Sequence, residues 1–286
     1  MQIIERIEPL RAALYGPRRG GKGIALVPTM GALHEGHLTL LDRAREHAST
    51  VVMSLFVNPL QFGPNEDFAR YPRDRDRDAR LAEARGVDIL FAPQPEELYR
   101  GGRAITVEPG ALASRWDGAS RPGHFAGVLT VVAKLFNIVQ PDVAVFGQKD
   151  IQQATLIRAM VRDLDFPLHT IVAPTVRETD GVALSSRNAY LSEEDRRRTR
   201  VLSRAIFAMR DAFDGGERST AVLESLGDSV VAAESTVALE YLAVMDPKTL
   251  EPVPTATAGS IVAIAARVGT TRLIDNVILG VPDHSG

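Results

Sequence analysis

IALVPTMGALHEGHLTL, residues 24–40, is the stretch on which the fold turns. Ile24–Pro28 is a short apolar run without alternation, the pattern of a strand buried on both faces. The chain then turns through Gly31 and enters a helix expected over His34–His47, with Leu38, Leu40, Leu41 and Ala44 marking its apolar side. His34 and His37 stand three apart in what reads as the first helical turn, so they share one face. A helix N-terminus carries unpaired N–H groups and a partial positive charge. Strand, glycine turn and helix start together make a seat for phosphate, and Gly31 and Gly36 leave room for a ligand to approach the backbone. Two imidazoles above that seat could donate hydrogen bonds to charge developing at phosphorus.

The same alternation continues on both sides. Val51–Val57 reads as a strand, and Arg77–Pro93 as a helix, a Gly86 cap and the strand Val87–Phe91. A helix over Ala126–Val139, the strand Val143–Gly147, a helix over Gln152–Asp163 and the strand Leu168–Pro174 follow. Strands alternating with helices predict an α/β fold, a Rossmann-like doubly wound parallel sheet covered on both faces. After Pro174 come helical patterns at Ser192–Phe213 and Thr220–Glu234, then VALEYLAVM, SIVAIAARV and TRLIDNVIL. Helices followed by neighbouring strands predict a smaller C-terminal α+β domain with an antiparallel sheet. The expected domains are residues 1–175 and 176–286.

Composition narrows the function classes. The 286 residues include 33 Lys+Arg against 36 Asp+Glu, so there is no global basic field for nucleic acid or an anionic membrane. With 0 Cys, disulfides, iron–sulfur clusters, Cys-based zinc sites and cysteine nucleophiles are excluded. Glu5, Arg6 and Glu8 interrupt any apolar core of a signal peptide, and no apolar run approaches the ~20 residues that span a bilayer. The expected location is the cytoplasm.

Two motifs mislead. GPRRGGKG (Gly16–Gly23) is close to a phosphate loop, but Gly23 stands where a hydroxyl would hold magnesium, and the segment precedes a strand. It reads as a surface turn. His34-Glu35-Gly36-His37 spaces its histidines three apart with a glycine inside, against the four of a zinc peptidase helix.

HEGH resembles the HxGH signature of the nucleotidylyltransferases and class I aminoacyl-tRNA synthetases. The longer PTMGALHEGHLTLL is similar to the pantoate–β-alanine ligase family (the pantothenate synthetases). FVNPLQFGPNEDFARYPR (Phe56–Arg73), RPGHFAGVLTVVAKLFNIVQPD (Arg121–Asp142), FGQKDIQQ (Phe146–Gln153), TVRETDGVALSSRNAYLS (Thr175–Ser192) and TRLIDN (Thr271–Asn276) agree in the same order.

The resemblance implies an ATP-dependent ligase in pantothenate biosynthesis, on the coenzyme A pathway. It would condense (R)-pantoate with β-alanine through pantoyl adenylate, releasing pyrophosphate and AMP. It implies His37, His34, Lys149, Ser185 and Arg187 as the catalytic set. ATP would meet Met30, Gly31, Ala32, Leu33, His34, Glu35, Gly36 and His37, then Gly147, Gln148, Lys149 and Asp150, and finally Val176, Leu184, Ser185, Ser186 and Arg187. Gln61 and Gln153 would hold pantoate, Gln61 also β-alanine, with Asn58 a neighbour in the same loop. Mg²⁺ would arrive with ATP, with Asp78 helping to hold it. Residues 1–175 would bind nucleotide and pantoate, with 176–286 as a lid. A homodimer, no nucleic acid and no membrane partner are also implied.

The residues support part of this independently. Lys149 follows a strand at its carboxyl end, where open α/β sheets bind ligands, and a compact cation suits a phosphate or developing oxyanion. Ser185, Ser186 and Arg187 form a donor set matched to phosphate oxygens. Asp74–Asp78 alternates charge at a helix start, which compensates the helix dipole. Arg121 and His124 receive no role from sequence. Three alternatives stay open: another HxGH nucleotidylyltransferase, a tRNA-charging enzyme without its basic anticodon module, and a non-catalytic nucleotide-binding regulator on the same fold.

Overall fold

A computed structural model describes residues 1–64, 66–102 and 105–281. Asn65, inside the FVNPLQFGPNEDFARYPR block, lies outside the described residues. Contacts divide the chain into two units: Met1–Gly147 with Leu156–Ala173, and Gln148–Thr155 with Pro174–Gly286.

The first unit contains β1 (Gln2–Ile4), α1 (Ile7–Arg19), β2 (Ile24–Thr29), α2 (Glu35–His47) and β3 (Thr50–Leu55). It continues with α3 (Arg75–Ala84), β4 (Ile89–Phe91), α4 (Pro95–Leu98), α5 (Trp116–Ser120), α6 (His124–Val139) and β5 (Val143–Gly147). Most of α7 (Ile151–Asp163) and β6 (His169–Ala173) complete it.

All six strands are parallel, in the order β1-β4-β3-β2-β5-β6. The expected doubly wound sheet is therefore present. The absence of alternation in β2 has a direct cause: both of its faces are covered. Ile24 and Leu26 face a core with Leu10 and Leu14 of α1, the apolar side of α6, and Ile157 of α7. Ala25 and Val27 face the opposite core, with Leu38, Leu41 and Ala44 of α2 and Ala82 of α3.

Strand order reverses between β2 and β5, and such a switch point is where open α/β sheets bind ligands. Pro28 fits this place. A proline cannot donate to a ladder, and the registered pairs between β2 and β5 are Ala25 with Val143 and Leu26 with Ala144, short of Pro28.

The second unit adds α8 (Glu193–Arg198), α9 (Arg200–Asp214), α10 (Thr220–Ala232), β7 (Val237–Met245), β8 (Ile261–Val268) and β9 (Thr271–Ile278). The strands form an antiparallel sheet in the order β7-β8-β9, as expected. Leu202, Ile206 and Met209 of α9 and Leu223 of α10 pack with Val244, Val262, Ile264 and Val277 in its core.

Three details differ from the sequence reading. β1 and α1 were not expected, since Gly16 and Pro17 sit within α1 and only Leu10 and Leu14 are buried there. Half of GPRRGGKG is thus helix end and half turn. The single helix expected over Ser192–Phe213 is interrupted at Thr199, between α8 and α9, where the Thr199 hydroxyl donates to the Arg196 carbonyl at 2.7 Å.

α6 also fixes the turn at residues 58–61. A Cβ on Gly127 would lie 2.3 Å from the Leu60 carbonyl oxygen and 2.7 Å from the Gln61 nitrogen. Backbone cannot rotate away as a side chain can. Gly127→Ala is therefore expected to cost about 1–3 kcal/mol through overpacking, read as a lowered urea midpoint. A midpoint equal to wild type would show that the 58–61 turn yields freely.

Candidate active site

The residues Met30–His37 turn the chain from β2 into α2. Gly31 has φ +84° and Ala32 φ +52°, both left-handed. For a non-glycine residue that conformation costs roughly 1–2 kcal/mol, and a buried carboxylate holds it here. Asp78 of α3, 1% exposed, accepts the Ala32 N–H on Oδ2 and the Leu33 N–H on Oδ1, both at 2.8 Å. Arg77 donates to the Leu33 carbonyl at 3.0 Å. A Cβ on Gly31 would stand 2.8 Å from Asp78 Oδ2 and 2.8 Å from Leu55 Cδ1, so close approach as well as φ demands glycine.

Asp78, expected to help hold Mg²⁺, serves this turn: each of its two oxygens accepts one backbone N–H.

The two histidines are brought together. α2 begins at Glu35, so His34 is its extended N-cap (φ −135°) and not a first-turn residue as expected. The His34 and His37 ring centroids lie 4.1 Å apart with 42° between planes. The His34 N–H donates to His37 Nδ1 at 3.4 Å, which in the neutral ring puts the His37 proton on Nε2. Glu35 points to Arg85, with which it pairs.

Gln61 sits in a tight turn, Pro59–Gln61, and is 8% exposed. Its orientation follows from bond logic. Asn58, 1% exposed, accepts from the Leu60 N–H at 3.2 Å and donates to the Gly127 carbonyl at 3.1 Å. That assigns Asn58 Oδ1 and Nδ2 without ambiguity. Nδ2 also donates to Gln61 at 3.2 Å, so that atom is Oε1. Gln61 Nε2 then faces Met30 Sδ at 3.1 Å and presents a donor. Tyr99 donates its hydroxyl proton to Asn58 Oδ1 at 2.7 Å and completes the set.

Arg121 and His124, without a role from sequence, buttress the same turn. His124 Nδ1 lies 2.7 Å from the Gln61 carbonyl oxygen, which only accepts, so Nδ1 carries the proton. Nε2 accepts from the Arg121 guanidinium at 2.8 Å. Arg121 in turn grips Glu66 with two bonds of 2.7 Å. Burial first, and the Arg121 charge second, lower the His124 pKa to about 4. The ring is neutral at pH 7. Burial raises the Glu66 pKa, but the Arg121 hydrogen bond and charge bring it below the ordinary value.

The second unit carries the other expected residues. Gln148–Asp150 is a single 3-10 turn after β5, and the Lys149 ammonium lies 3.8 Å from Asp150 Oδ1. Gln153 is half-buried on the next helix. The Leu184 N–H donates to the Val176 carbonyl at 3.0 Å, closing a short hairpin whose arms also bridge at Arg177 and Ala183. Ser185 caps the following 3-10 turn, its Oγ accepting the Arg187 N–H at 3.3 Å. Lys149 and Ser185 line one cavity of about 20 Å³ with Asn188 and Asp275, roughly the size of a water molecule.

Against this geometry, the family model described as pantoate-beta-alanine ligase matches residues 2–278. The chain belongs to the pantoate–β-alanine ligase family. A pantothenate synthetase of Heliobacterium modesticaldum is 51% identical over 281 residues, covering 98% of this chain and 100% of its own. One of Acidobacterium capsulatum is 53% identical over 291 residues, covering 98% and 97%. Among solved structures, pantothenate synthetase from Thermus thermophilus matches with TM-score 0.93 at 50% identity, covering 97% and 99%. Pantoate-beta-alanine ligase from Francisella tularensis, complexed with beta-gamma ATP and beta-alanine, matches with TM-score 0.80 at 31% identity, covering 99% of each chain. The chain is therefore an enzyme, and its reaction is the ligation for which the family is named.

Two measurements test the supports described above. Asp78→Asn turns one acceptor into a donor facing a backbone N–H, and is expected to cost about 1–3 kcal/mol in urea unfolding at pH 7. An unchanged midpoint would mean the turn holds itself.

His124 has its folded pKa depressed, so the unfolded chain binds the extra proton first. Its contribution is fully present above about pH 6.5 and is lost as pH falls toward about 4. Wild type should lose about 2–3 kcal/mol more than His124→Gln between pH 7 and 4.5. Parallel curves would count against the neutral ring.

Proposed function

We infer that this chain joins (R)-pantoate to β-alanine in two steps, with ATP as co-substrate. The pantoate carboxylate oxygen attacks the α-phosphorus of ATP, and pyrophosphate leaves. The β-alanine amine then attacks the acyl carbon of pantoyl adenylate, AMP leaves with the carboxylate's former oxygen, and the amine gives up a proton. Adenylation is needed because a carboxylate alone would have to expel oxide. The observation that carries this reading is the pinned turn after β2, where Asp78 fixes the backbone beneath His34 and His37. The complex of the Francisella tularensis relative with an ATP species and β-alanine supports both substrates.

In this reading the chain's task is positioning and charge stabilisation. His34, His37 and Lys149 meet the phosphates, and His37 donates from Nε2, the atom that its contact with the His34 N–H leaves protonated. Ser185, Ser186 and Arg187 hold the triphosphate side. The backbone at Gly147, Val176 and Leu184 frames adenosine. Gln61 and Gln153 take pantoate, and the fixed Nε2 donor of Gln61 suits a hydroxyl or carboxylate oxygen. Magnesium enters as the companion of the ATP phosphates. Asp78, expected beside it, holds the turn at Ala32 and Leu33.

AMP formation with ATP, pantoate and β-alanine omitted in turn tests the reaction: release should require all three. His37→Ala should slow pantoyl-adenylate formation about 10²- to 10⁴-fold in rapid-quench single turnovers. A defect confined to the β-alanine step would remove His37 from the first one.

A further inference from the structure

Lys149 stands in a three-residue turn that begins where β5 ends, so it has little ladder of its own. Its backbone is held by one side chain of β9. Asn276 Nδ2 donates to the Gln148 carbonyl at 2.9 Å and to the Lys149 carbonyl at 2.9 Å. Asn276 Oδ1 accepts from Gln148 Nε2 at 3.2 Å. The residue is 1% exposed, and both amide hydrogens and its oxygen are used.

The two carbonyls belong to the peptide planes on either side of the Lys149 Cα. Each plane is rigid, so fixing both fixes φ and ψ of Lys149 and with them the direction of its Cα–Cβ bond. A single planar amide thus sets the point and direction from which the lysine side chain departs. Asn276 is itself anchored. Its carbonyl accepts from Arg177 at 3.1 Å and its N–H donates to Asp275 Oδ1 at 2.7 Å. Asp275 and Arg177, each 4% exposed in the side chain, join through bonds of 2.7 and 3.0 Å.

We propose that Asn276 is a positioning residue for Lys149, setting the direction of its ammonium during adenylate formation. Asn276 touches the turn and acts on the chemistry only through the lysine. The inference rests on the reading of Lys149 given above.

The test is a double-mutant cycle of Asn276→Ala and Lys149→Ala in the full chain, read as single-turnover adenylate formation at saturating ATP and pantoate. In the presence of Lys149, Asn276→Ala should slow the step about 10- to 100-fold, the usual consequence of misplacing a group by around an ångström. With alanine at 149, the same change should cost less than about twofold, because there is no ammonium left to aim. Apparent KM for β-alanine should stay within about twofold of wild type. Val277→Ala, a buried change on the same strand away from the turn, should lower the urea midpoint while keeping the rate. Asn276→Ser supplies a milder loss if alanine proves too destabilising, and should show the same dependence on Lys149. Equal losses in both backgrounds, or no loss beside Lys149, would overturn the proposal. A normal rate for Lys149→Ala alone would instead overturn the reading of the lysine, and the two failures are told apart by that single variant.

Discussion

A buried backbone amide or carbonyl must be paired, and a parallel strand runs out of partners at its carboxyl end. Most of what is specific about this molecule follows from that constraint. Beyond β2 the unpaired amides of Ala32 and Leu33 are taken by Asp78. Beyond β3 the Gln61 carbonyl is taken by His124. Beyond β5 the carbonyls of Gln148 and Lys149 are taken by Asn276. In each case a buried polar side chain from a distant element completes a turn that carries an expected site residue. The sheet supplies the place, and these side chains supply the precision.

The supports differ in electrostatic cost. His124 avoids the cost of a buried charge by being neutral, with each ring nitrogen given to one partner. Arg177 and Asp275 instead form a buried ion pair, in which burial pushes the Asp275 carboxyl up while Arg177 opposes that shift. Buried ion pairs often contribute little net stability, because desolvation offsets attraction, yet breaking one is expensive. The pair fixes one arrangement of the hairpin around Arg177 and of β9 beneath Lys149. Phe207 lies under the same guanidinium at 4.8 Å and shields it further.

Sequence made the architecture legible where periodicity was strong. The apolar run of β2 and the amphipathic α2 predicted the strand–turn–helix unit, and the shift to helices followed by strands predicted the antiparallel sheet. It was less informative where local signals conflict, as at Gly16 and Pro17 within α1, or where a helix is interrupted at a single residue, as at Thr199. The groups expected to touch ligands were visible because motifs cluster along the chain. Their supports were hidden, since Asp78 acts across 45 and 46 positions, His124 across 63 and Asn276 across 127 and 128. One clue existed. Asp275 and Asn276 are consecutive polar residues in a strand otherwise mostly apolar, and both are buried, which alternation alone does not explain.

The orientation of Gln61 has a consequence for the polarity of the whole loop. Asn58 cannot turn its amide over without setting its nitrogen against the Leu60 N–H and its oxygen against the Gly127 carbonyl, so Gln61 cannot turn over either. The turn therefore carries one fixed hydrogen-bond polarity, with Gln61 Nε2 the donor on the Met30 side, and inverting it would undo the bonds that join two separate stretches of the chain.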